Sequence, residues 1–124
     1  MTSPPGSGGG AETRDSTFTV PGKVTFFNNS AYIGGGLSSE SNGIGFNVSG
    51  EATFKANKAS LGGALGINSG RIYLDGSTRF SDNIVTSNGG AIEVLNDGGI
   101  DVLGEVTFVN NSAEGDGGGI AFSE

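Results

Sequence analysis

The sequence contains no cysteine, no histidine and no tryptophan. Without cysteine there are no disulfides, no thiolate metal sites and no cysteine nucleophile, and nothing marks the redox compartment. Without histidine the chain lacks the side chain most used for acid–base work near neutral pH, which is also the commonest metal ligand. Stacking platforms for sugars would have to come from two tyrosines and exposed phenylalanines. Proline is scarce too, at 3, and so are basic residues, at 6 against 13 acidic ones. The net charge of −7 repels a phosphate backbone, so nucleic acid is not an expected partner. No apolar stretch approaches the roughly 20 residues of a membrane span, so this segment is not expected to insert into a membrane. Residues 1–10 lack the basic start and hydrophobic run of a signal peptide, so any export signal would lie elsewhere. These absences lean away from catalysis, and no cofactor and no metal site are expected.

What is abundant is glycine, 25 of 124 residues. With so little proline, neither collagen nor a flexible linker accounts for it. The glycines are phased. Gly22, Gly50, Gly76 and Gly104 each stand four residues before Phe26, Phe54, Phe80 and Phe108, and asparagine follows three later as Asn29, Asn57, Asn83 and Asn111. A glycine cluster closed by an aliphatic comes next: Gly34-Gly-Gly-Leu37, Gly62-Gly-Ala-Leu65, Gly89-Gly-Ala-Ile92 and Gly117-Gly-Gly-Ile120. Apolar pairs precede each phased glycine: Phe18/Val20, Phe46/Val48, Ile72/Leu74 and Ile100/Val102. Residues 17–124 are therefore a repeat region, and residues 1–16 read as a flexible Gly/Pro/Ser-rich lead-in.

Apolar residues alternate within each unit, as in Phe46-x-Val48, which is the period of a strand buried on one face. A repeat of about 27 residues holding short strands between glycine and asparagine turns predicts one turn of a solenoid. The expected fold is all-β, a right-handed parallel β-helix of about four coils of three short strands. The phenylalanines would stack inside, the asparagines would form an amide ladder at the bend, and the glycines would supply positive φ at corners and close approach of coils. Thr25, Thr53 and Thr107 share an outward strand position, with Arg79 as the exception.

The tandem pair Gly-Gly-Ala-[Ile/Leu/Val] and Phe-x-x-Asn resembles the polymorphic membrane proteins of chlamydiae. All four Phe-x-x-Asn copies match, Gly62–Leu65 and Gly89–Ile92 match strictly, and the clusters before Leu37 and Ile120 carry glycine in place of alanine. The resemblance spans about residues 18–122. It implies a secreted or cell-surface autotransporter passenger, outer-membrane-associated in its full-length form, that binds a host-cell surface or matrix component through its repeats. Phe26, Asn29, Phe54, Asn57, Phe80, Asn83, Phe108 and Asn111 are then candidate binding residues, weighed against their role as structural ladders.

β-Helix scaffolds are also similar to those of polysaccharide lyases and hydrolases, and Glu51 and Glu105 share a phase after the turn glycine. A carbohydrate-active enzyme and a structural spacer are thus the alternatives to a non-catalytic adhesion or display module. Asn96-Asp-Gly-Gly-Ile-Asp101 reads as a turn rather than a calcium loop, and Asn28, Asn47 and Asn110 sit in glycosylation sequons. The segment Ser38–Gly45 is expected to be a surface loop. The last strand, open at its edge, predicts marginal stability or end-to-end self-association.

Overall fold

The computed structural model describes residues 11–40, 43–61, 63–87, 90–96, 98–115 and 118–123. Seventeen strands and no helix occur among them. Numbered in chain order, they fall into four parallel sheets. The first contains β1 (Ala11–Arg14), β5 (Leu37–Glu40), β9 (Leu65–Asn68), β13 (Ile92–Leu95) and β17 (Ile120–Ser123). The second contains β2 (Phe18–Val20), β6 (Ile44–Val48), β10 (Arg71–Leu74) and β14 (Gly99–Val102). The third contains β3 (Lys23–Phe27), β7 (Glu51–Lys55), β11 (Ser77–Ser81) and β15 (Glu105–Val109), and the fourth β4 (Ser30–Ile33), β8 (Lys58–Leu61), β12 (Ile84–Val85) and β16 (Ser112–Ala113). Each strand bonds to its equivalents one coil away, so the chain is a parallel β-solenoid.

The expected coil of three strands is corrected to four. The fourth strand follows each ladder asparagine, and its inward row is Ala31, Ala59, Val85 and Ala113. That row is mostly alanine, and β12 and β16 are only two residues long, so the fourth strand carries a weaker alternating signature than the other three. The expected four coils are also slightly off, because one sheet has five rungs and the others four. The extra rung includes β1, which pairs with β5 and lies inside the segment expected to be a lead-in. Residues 1–10 of that segment lie outside the described residues, as do Gly62, Gly89, Asp97 and Gly117.

The core is a set of stacked apolar rows. Phe46, Ile72 and Val48, Leu74 fill the second sheet's inner side, and Leu65, Ile92 and Ile67, Val94 the first's. Rings Phe26, Phe54, Phe80 and Phe108 stack at centroid distances of 4.7, 4.9 and 5.2 Å. Burying the Phe26, Phe54 and Phe80 rings contributes about 1.5–3 kcal/mol each.

Positive φ at the corners is carried mainly by residues other than glycine. Asn28, Ala56, Asp82 and Asn110, each just before a ladder asparagine, all adopt φ of 55–57°. The phased glycines serve close approach instead. A Cβ on Gly76 would collide with the Gly50 carbonyl one coil below, and one on Gly104 with that of Gly76.

Candidate binding face

Of the eight candidate residues, Phe54, Phe80, Asn57 and Asn83 are fully buried and Phe26 nearly so. Asn29 and Asn111 are half-buried, and Phe108, in the last described rung of its sheet, is 38% exposed. The asparagines are saturated by the scaffold. Asn57 Nδ2 donates to the Phe26 carbonyl at 2.9 Å and to Asn83 Oδ1 at 3.0 Å, while its backbone N–H donates to the same Oδ1 at 2.9 Å. Asn83 repeats the arrangement toward the Phe54 carbonyl and Asn111 Oδ1. Each amide therefore locks the corner of its own coil to the coils on both sides.

The side chains that face outward differ from coil to coil. On the third sheet, parallel register aligns them in three rows: Lys23, Glu51, Ser77, Glu105; Thr25, Thr53, Arg79, Thr107; and Phe27, Lys55, Ser81, Val109, of which Ser81 is buried. Glu51, Thr53, Ser77, Arg79, Glu105 and Thr107 line an open depression of about 280 Å³. Lys23 holds Glu51 at 3.3 Å. The other ion pairs among the described residues are Arg14–Glu12 and Arg71–Asp101, so Arg79, Lys55 and Lys58 stand outside any ion pair.

On the first sheet Ser38 and Glu93, in the row that alternates with the inward ones, are buried, as are Leu37, Leu65, Ile67, Ile92 and Val94 on the inner side. The surface loop expected over Ser38–Gly45 is shortened: Ser38–Glu40 belong to β5, with Ser38 and Ser39 buried, Ile44 and Gly45 belong to β6, and Ser41 and Asn42 lie outside the described residues. Glu51 and Glu105 do share a row, one rung each from Ser77. Asn96 occupies a left-handed turn and Asp101 is taken by Arg71, whose Nε and Nη2 donate to its two oxygens at 2.8 and 2.9 Å. That contact holds the Asp101 carboxyl below its usual range. No three Asp or Glu side chains among the described residues converge as a metal-binding group. Of the sequon asparagines, Asn28 and Asn110 are exposed at turns and Asn47 is half-buried in β6.

The depression was not singled out by sequence reading. Its signal was Arg79, the one interruption of the threonine row.

Comparison with known proteins places the molecule. The model of the Chlamydia polymorphic membrane protein repeat matches at residues 23–40, 77–94 and 105–123. In each case the match starts in a third-sheet strand, crosses the asparagine corner and ends in or near the first sheet. No curated protein and no solved structure matched the chain. The stretch between the matched segments, around Phe54 and Asn57, carries the same ladder in register. In these three stretches the chain carries the polymorphic membrane protein repeat, and in them it is similar to that family.

Proposed function

We propose that the chain is part of a surface-displayed, non-catalytic passenger that acts in adhesion through its outer strand faces. The observation that carries this reading is the division of labour within the repeat. Recurrent Phe and Asn side chains point inward and are consumed by stacking and hydrogen bonding, while the outward rows change identity from coil to coil. A scaffold of this kind presents a long, straight array of side chains at a spacing of about 4.8 Å. The match to a membrane-protein repeat supports display at a cell surface or outer membrane. No helix among the described residues is long and apolar enough to cross a membrane.

Purified, folded protein applied to epithelial cells and to extracellular matrix tests the reading. Saturable binding is expected; its absence from protein with an intact β spectrum would contradict adhesion. A second reading, a carbohydrate-active enzyme, draws on Glu51 and Glu105 lining one depression. Release of reducing or unsaturated ends from galacturonan would favour it over the first.

A further inference from the structure

We propose that the depression on the third sheet binds a carboxylated sugar, a uronic or sialic acid residue of a glycan, with Arg79 as the carboxylate anchor. The proposal rests on the adhesion reading for its setting and names the face and the partner class.

Arg79 takes the place of threonine in an otherwise regular row, with Thr53 one rung below and Thr107 one rung above. A guanidinium presents a rigid fork of donors that matches a carboxylate with two parallel hydrogen bonds. Although Glu51 and Glu105 line the same depression, Arg79 forms an ion pair with neither. Glu51 is held by Lys23, so Arg79 and Glu105 are the charged groups of the depression left outside any ion pair and able to take a ligand group.

The remaining lining decides the chemistry. Thr53, Thr107 and Ser77 offer hydroxyls that both donate and accept, and the two glutamates accept from the hydroxyls of a sugar ring. Protein interfaces centre on buried aromatic or aliphatic anchors, and no large apolar side chain lines this depression. A hydroxyl-rich ligand with one carboxylate satisfies every group present. Successive rungs repeat along the solenoid axis at about 4.8 Å, so a linear glycan laid along the axis meets a fresh pair of outward residues at each step. Lys55, in the adjacent row and also outside any ion pair, adds positive potential to this face of a chain whose net charge is −7.

Titration of the folded protein with two probes tests this: a hyaluronan hexasaccharide, beside its carboxyl-reduced form, and sialyllactose, beside lactose. At least one carboxylated probe should bind, at least tenfold more tightly than its neutral counterpart and more weakly as salt rises. Binding of the hexuronate alone assigns a matrix-type polysaccharide, and of the sialoside alone a cell-surface glycan. Arg79→Thr, which restores the threonine row, should melt like the parent and lose at least tenfold in affinity. Equal binding of the neutral probes, undiminished binding by R79T, or no binding of either acidic probe overturns the site. Cell adhesion that R79T leaves unchanged would also overturn it while adhesion itself stands. Arg79-dependent glycan binding in a protein that adheres to no cell would sink the adhesion reading instead.

Discussion

Asn57 carries more of the structure than any exposed residue, because its side-chain amide meets a backbone carbonyl, a neighbouring amide and a backbone N–H at once. Asn57→Ala strands the Asn29 N–H, worth about 1–3 kcal/mol when left unpaired out of water, and removes one donor from the Phe26 carbonyl, so a loss of about 2–3 kcal/mol is expected in denaturant melts. Asn57→Asp should cost at least as much, since a carboxylate would face two acceptors, the Phe26 carbonyl and Asn83 Oδ1. If the aspartate variant matched the parent in stability, the ladder's direction would be wrong. Thr78 gives the opposite sign. It sits in an inward row with Val24, Ala52 and Val106, and its hydroxyl is buried without a partner. Thr78→Val should raise stability by about 1 kcal/mol, read as a higher denaturation midpoint. The ladder residues were legible from phase alone, since Phe and Asn recur in register in each unit. Thr78 was not, because one hydroxyl in an inward row leaves no trace in a repeat pattern.

Strands and corners account for the glycines. Gly22 and Gly76 occupy the same repeat position, yet a Cβ on Gly76 would strike the Gly50 carbonyl, whereas one on Gly22 would meet nothing within 4 Å. Gly76→Ala should therefore destabilise by about 1–3 kcal/mol through overpacking, and Gly22→Ala should change the melting midpoint little. Equal effects at the two sites would remove close coil approach as the explanation. At the corner, Ala56 adopts φ 57° where its equivalents are Asn28, Asp82 and Asn110. A left-handed alanine costs about 1–2 kcal/mol, so Ala56→Asn, which restores a residue tolerant of that conformation, should gain about 1 kcal/mol in thermal or denaturant melts. The three apolar strand types could be read from alternation of large side chains. The fourth could not, because Ala31, Ala59 and Ala113 look like loop residues in sequence. Nor could the source of positive φ, since glycine's permissiveness and its small size make the same mark on a sequence.

The whole molecule joins every coil to the next through four parallel sheets, a phenylalanine stack and the asparagine ladder. Stability in such an array comes from nearest-neighbour interfaces, so residues at the middle of the stack are held from both sides. The regular interior made the solenoid readable from sequence. The outer depression was not readable in the same way, because a binding face is made of the positions where the repeat does not constrain identity: Glu51, Ser77 and Glu105 in one row, Arg79 among threonines in the next. The central claim is that the recurrent asparagines are internal ties rather than surface contacts. Side-chain amide exchange in the folded protein tests it most directly, because buried amides exchange only when the surrounding structure opens. Asn57 and Asn83 should be protected to the level of the slowest backbone amides of β7 and β11, and exposed Asn110 should exchange like a free amide. Exchange of Asn57 and Asn83 as fast as that of Asn110 would contradict the account.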